Sequence, residues 1–293
     1  WMERSVVCIG LGRLGGEMME QALRVNVLGE HRLTYHLFGD TTRFAQDHRM
    51  LGQFLTLGHE DAARDSLILH EENWQDAADV LEKADRILLC MDEDEANREA
   101  LAEIERYFPT KAVLYARIAQ GRSEHGAVFF GSDETVLTPE HVFGERLTET
   151  ARALNRLYGK QNPQNACAWE ELSPTAKRSN MASADHLPVK IDGLLGCGAD
   201  CAVDSATCRA AYAAYTQLNA AQKEMCRRLE HERWMRNLYL ENWRYADKRD
   251  NALRRHPLLC PYDELSEADK AKDDNSWALL GALAEWLESG ENE

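Results

Sequence analysis

The chain has 293 residues, 44% of them hydrophobic, with 34 basic against 50 acidic side chains and a formal net charge of -16. That length accommodates two domains of ordinary size, and the acidic balance excludes a general affinity for nucleic acid, which rests on Lys and Arg displacing counterions from phosphates. No run of about 18 apolar residues suggests a membrane span, and the start lacks the basic-then-apolar pattern of a signal peptide; the expectation is a soluble, cytoplasmic chain, or the cytosolic part of a protein whose membrane or channel module lies upstream of Trp1.

Residues 5–9 form a short apolar run, followed at once by Gly10-Leu11-Gly12-Arg13-Leu14-Gly15 and an amphipathic stretch over 16–24. The order reads strand, glycine turn, helix. In such a turn the first glycine permits the tight bend, the second lets backbone approach a pyrophosphate, and the third packs helix against strand, leaving the helix N-terminus to hold the anion. Further apolar runs at 33–38, 67–69, 86–91, 112–118 and 127–130 alternate with helix-like segments, which predicts a doubly wound parallel sheet. Asp40 follows the second run, where a carboxylate would accept hydrogen bonds from a ribose; the competing reading is a solvated loop aspartate. His59, His70, His125 and His141 stand in no catalytic pattern.

Apolar positions at helical spacing predict a connecting helix over 139–159, started by Thr138-Pro139-Glu140-His141. The turn formers of 159–165 then predict a linker and a domain boundary near residue 160. Beyond it the pattern is helical: one or two helices over 169–194, a glycine and cysteine turn over 193–204, a long helix over 210–240, a proline-punctuated loop, and a last helix started by Ser266-Glu267-Ala268-Asp269. The eight cysteines are scattered, which predicts reduced thiols. Cys197, Cys201 and Cys208 cluster near glycines, but their spacing is not that of a zinc knuckle, so thiols in an insertion are expected and no metal.

The first 145 or so residues resemble the N-terminal RCK (TrkA-N) domain of potassium-channel and transporter regulators. The glycine motif, Ala84-Asp85-Arg86 through Asp92-Glu93-Asp94-Glu95-Ala96-Asn97, and Leu114-Tyr115-Ala116-Arg117 carry the likeness. The resemblance implies a bound NAD(H), ATP, ADP or related adenine nucleotide over Gly10, Gly12, Arg13, Leu14 and Gly15, with Asp40, Met91, Asp92 and Arg117 around it, in a homodimer that converts occupancy into movement.

The second half resembles the RyR domain, the repeat named in ryanodine receptors. The likeness rests on Leu229-Glu230-His231-Glu232-Arg233-Trp234, Asn242-Trp243-Arg244-Tyr245 with Asp250, and His256-Pro257-Leu258-Leu259-Cys260-Pro261-Tyr262, preceded by Arg178-Ser179-Asn180 and His186-Leu187-Pro188-Val189-Lys190. It departs from the family at Cys260 and in the insertion at 196–208. It implies ligand sensing. Trp234, Trp243 and Tyr245 are expected to stack a purine, Arg178, Lys190, Arg233 and Arg236 to meet its phosphates, and Asn180, His186 and His231 to line the same site; the alternative is that the aromatics are core and the histidines brace helices. The whole reads as an α/β chain, a Rossmann or RCK-like sheet followed by a mostly α-helical RyR-like domain. A nucleotide-binding regulator is the first expectation, linked to potassium transport or to nucleotide signalling or defence; an NAD(P)-dependent oxidoreductase and a non-catalytic scaffold are the alternatives.

Overall fold

The structure is a computed structural model that describes residues 4–29, 31–120, 126–136, 146–198 and 201–289. The chain forms two compact units, one comprising Trp1–Ala22, Glu30–Gly144 and Tyr239–Asn242, the other Leu23–Gly29, Glu145–Leu238 and Trp243–Glu293.

The first unit is a seven-stranded sheet in which every pairing is parallel. In chain order its elements are β1 (Arg4–Ile9), α1 (Arg13–Val25), β2 (Leu33–Phe38), α2 (Thr41–Asp47), β3 (Thr56–Leu57), β4 (Ser66–His70), α3 (Ala78–Lys83), β5 (Arg86–Leu89), α4 (Asp94–Tyr107), β6 (Val113–Arg117), β7 (Val128–Phe130) and α5 (Asp133–Val136). Their order across the sheet is β3-β4-β2-β1-β5-β6-β7, so the chain winds one way from β1 to β2 and the other way to β5. Parallel strands covered by helices are apolar throughout rather than alternating. Val7, Ile9, Ile87, Leu89, Ala116 and Ile118 accordingly pack on Leu81 of α3 and Leu101 and Ile104 of α4. The two-residue edge strand β3 carries too little pattern to be read from sequence. α1 begins at Arg13, three residues before the amphipathic stretch, because the glycine turn feeds directly into it.

The second unit is built of helices: α6 (Arg146–Gln161), α7 (Pro174–Asp185), α8 (Leu187–Leu195), α9 (Ser205–Gln217), α10 (Ala220–Leu240) and α11 (Glu267–Ser289), with a small two-stranded ladder of β8 (Arg244–Tyr245) and β9 (Arg255–His256). Leu154 of α6, Ile191 of α8, Ala211 of α9 and Trp277, Leu280 and Leu283 of α11 share one core. Gly281 lets α11 approach α9, since a Cβ there would stand 2.8 Å from the Tyr212 ring.

Three expectations change. The single helix over 210–240 is two helices: Leu218 turns extended, and Asn219 and Gln222 exchange side-chain and backbone hydrogen bonds of 3.0 Å that start α10 afresh. The linker starts later, because α6 continues through Gly159 to Gln161. The segment 169–194, expected as one or two helices, holds two α-helices, each with proline in its first turn. Cys197 and Cys201 are disulfide-bonded rather than reduced; they sit beyond the left-handed Gly196 that ends α8, with Cα atoms 5.8 Å apart. The last helix starts as expected, with Ser266 Oγ accepting from the Asp269 amide at 3.2 Å. The helix start at 138–141 lies outside the described residues. Among the described residues no helix is long and apolar enough to cross a membrane.

Candidate functional site

The glycine turn occupies the carboxyl end of β1 between β2 and β5, the point where the winding reverses and where open parallel sheets bind ligands. Each glycine is held to its role by contact. Gly10 has φ +98°, and a Cβ on it would stand 2.6 Å from the Met91 amide nitrogen. A Cβ on Gly15 would run into the carbonyl of Gly10, so α1 packs on β1 only because that position is bare. At Gly12 the neighbour is different: a Cβ would stand 2.8 Å from Oδ1 of the exposed Asp92, a side chain free to move. Arg13 and Leu14 open α1, whose first-turn amides lack intrahelical acceptors and make a natural anion seat.

Asp40 stands at the carboxyl end of β2 and caps α2, accepting from the Arg43 amide at 3.0 Å, while remaining exposed. It follows Gly39, whose missing Cβ admits the Leu11 amide, so the β2 end abuts the glycine turn. Beside it lies an open cavity of about 630 Å³ lined by Thr42, Gln46, Arg49, Leu69 and Glu71 among others. Across the turn, Met91 and Asp92 follow β5. Arg117 ends β6, and its Nη1 donates to Asp94 Oδ1 at 2.6 Å and to the Asp92 carbonyl at 3.3 Å.

Sequence reasoning missed what holds this rim. Asn97 is fully buried; its Oδ1 accepts from the Met91 amide at 3.0 Å, and its Nδ2 donates to the carbonyls of Met91, Glu93 and Arg117. Asp94 Oδ2 accepts from the Ala119 amide at 2.8 Å. The acidic turn after β5 is thus a clamp joining the ends of β5 and β6. A second unforeseen cluster lies on β2 and β4, where His36 Nδ1 meets His70 Nε2 at 3.0 Å and His70 Nδ1 meets Glu72 at 2.9 Å. Burial, then the neighbouring His70, pushes His36 down to about 4.

In the second unit the rings gather. Trp243 is 4% exposed, His256 meets the half-buried Trp234 edge-on at 4.9 Å, and His231 lies 5.7 Å from Trp234. His231 Nε2 donates to the Cys260 carbonyl at 3.0 Å, and burial lowers its pKa. Tyr245 is exposed, its hydroxyl donating to Asp247 at 3.0 Å. Lys190 stands with a different group: 1% exposed, its Nζ lies 2.7 Å from Glu230 and 5.1 Å from the Trp277 ring centroid. Glu230 also takes two hydrogen bonds from Arg233, at 3.0 and 2.6 Å. Burial alone would raise Glu230, but Arg233 and Lys190 hold it well below the usual carboxylate range, while burial lowers Lys190. His186 is fully buried beside this cluster, its Nε2 3.1 Å from the Val27 carbonyl, and burial pushes it down to about 3. Arg178 is exposed on α7, and Asn180 Nδ2 donates to the Ala176 carbonyl one turn back. Trp234, Trp243 and His231 therefore belong to a ring cluster and Lys190 and Arg233 to a buried ion-pair cluster, both reached from α10, while Arg178 and Tyr245 stand outside both and Arg236 pairs with Glu232 at 2.7 Å.

The ring cluster, with Glu230 and Arg233 of the ion-pair cluster, falls in the part of the chain that comparison with protein families recognises, whereas Lys190 and His186 lie before it. Residues 213–283 match the RyR domain. The match begins within α9, takes in α10 and the β8–β9 ladder, and ends within α11, so it contains Trp234, Trp243, His256 and the Glu230–Arg233 pair. No curated protein matches the chain.

Proposed function

We propose that this chain is a nucleotide-binding regulatory protein, in which an adenine nucleotide such as NAD(H), ADP or ATP seats its phosphates on the glycine turn and the RyR segment senses a second ligand. The observation that carries the reading is the turn itself: Gly10 in a left-handed conformation and Gly15 bare against Gly10, at the reversal point of a parallel sheet. The half-buried Trp234 and exposed Tyr245 are the rings of the RyR segment open to a ligand, whereas Trp243 is buried beside His256. Regulation rather than hydride transfer is supported by the joint at the carboxyl ends of β5 and β6, which Asn97 and Asp94 lock together. That joint suits transmission of occupancy to a paired copy.

Mass spectrometry of small molecules released from the gently purified protein tests the reading. A retained adenine nucleotide supports it. Absence of any nucleotide, together with no binding on addition, contradicts it, and steady turnover of NAD(P)H with carbonyl substrates makes the protein an oxidoreductase instead.

A further inference from the structure

We infer that Asp92 sets which nucleotide the glycine turn accepts: a dinucleotide, whose diphosphate is a diester, in preference to ADP or ATP with their terminal phosphates. The inference rests on the crevice reading above and adds the class of ligand to it.

The carboxylate of Asp92 lies directly against the glycine turn. Its Oδ1 is 2.8 Å, and its Cγ and Oδ2 are 3.2 Å, from the place where a Gly12 side chain would begin. A phosphate drawn to the amides of this turn therefore comes within reach of a negative charge. The cations within reach do not cancel it. Arg117 is committed to Asp94 at 2.6 Å, and the exposed Arg13 points its Nε at Glu17, 3.3 Å away. The turn holds no lysine of the kind that pairs with terminal phosphates in ATP-binding loops. Asp40, the other rim carboxylate, already has its Oδ1 on the Arg43 amide. The wider field adds to the same sign, since the unit that contains the turn carries 27 acidic against 13 basic side chains.

Charge on the ligand then decides. A diester diphosphate carries about one negative charge per phosphorus, whereas a terminal phosphate ionises a second time near pH 6 and brings up to about two. Each added charge meets Asp92 at short range, where like-charge repulsion opposes it even at the solvent-facing rim. In a dinucleotide, moreover, the group beyond the diphosphate is a ribose, and its hydroxyls can donate to Asp92. The same carboxylate that repels a terminal phosphate accepts from a sugar.

The test is calorimetric titration of the full chain and of Asp92→Asn with NAD+, ADP and ATP, at pH 7.5 in EDTA so that no divalent cation masks phosphate charge. Asparagine keeps the shape and removes the charge. The wild-type protein should bind NAD+ at least roughly tenfold more tightly than ATP, and Asp92→Asn should bring the two within about threefold, chiefly by strengthening ATP. Equal or tighter binding of ATP by the wild type overturns the inference, as does an NAD+ to ATP ratio that Asp92→Asn leaves unchanged. Failure of both proteins to bind any of the three overturns the crevice reading itself, and is distinguished from the first two outcomes by the absence of heat.

Discussion

Three glycines in one motif answer to three different neighbours, and their substitutions should behave differently. Gly15→Ala places a methyl group against a main-chain carbonyl that cannot move without parting α1 from β1, so it should cost about 1–3 kcal/mol or more, read as a lower midpoint in denaturant. Gly12→Val meets only the movable end of Asp92 and should leave stability within about 1 kcal/mol. Asn97→Ala removes four hydrogen bonds and strands part-buried backbone groups of Met91, Glu93 and Arg117, just past β5 and at the end of β6; a loss of about 1–3 kcal/mol is expected by the same measurement. The glycines were legible in the sequence because their spacing is itself the geometry. Asn97 was not, beyond its place in a family likeness, because an asparagine in the first turn of a helix reads as an ordinary polar residue until the ends of two strands are brought to it.

At the scale of elements, α8, α10 and α11 meet around charges that are out of water. Removing one partner of such a pair leaves the other buried and unpaired, so Glu230→Ala should destabilise the fold by about 3–5 kcal/mol. Asp273 of α11 acts in the opposite sense. Burial first, and then the Glu230 carboxylate, push it up to about 7 against the pull of Arg233 and Lys190, with Asp274 adding a smaller push upward and His231 Nδ1 3.8 Å away. A folded value above the unfolded one means that its contribution is fully present below about pH 4 and is lost as pH rises through about 7. Asp273→Asn should therefore be more stable than the parent at pH 8, by about 1–3 kcal/mol, and the difference should shrink towards pH 5; thermal melts of the two proteins across that range would show no convergence if Asp273 stayed ionised throughout. The helices were legible from their periodicity, but this cluster was not. Lys190 and Arg233 read as surface cations suited to phosphates, and only the packing of α8 on α10 reveals that Lys190 is spent on Glu230. The break at Leu218 and Asn219 was hidden for a related reason: residues on both sides are good helix formers, and the reciprocal Asn219–Gln222 cap interrupts them without a glycine or proline.

At the scale of the molecule, four histidines are buried among the described residues, His36, His186, His231 and His256, each with its pKa lowered chiefly by burial, to about 4 at His36 and His256 and about 3 at His186. Their contribution is complete above about pH 6.5 and disappears as pH falls towards those values. Acid unfolding should begin between pH 6 and about 4, before most carboxylates protonate, and replacing His186 with Gln should flatten that limb of the profile. The parallel sheet was legible because its strands declare themselves as apolar runs between helices, but their order across it comes only from the fold. The division of the second half into a ring cluster and an ion-pair cluster was not, since it depends on which faces of α10 meet their neighbours.

Whether a nucleotide sits on the glycine turn is read most directly by calorimetric titration of NAD+ into the wild-type chain and into Gly12→Val. The expected result is one site per chain in the wild type, weakened at least roughly tenfold by Gly12→Val, with thermal midpoints of the two proteins close together because only the end of Asp92 has to yield. Undiminished binding by Gly12→Val, in a protein that melts with its parent, would contradict it.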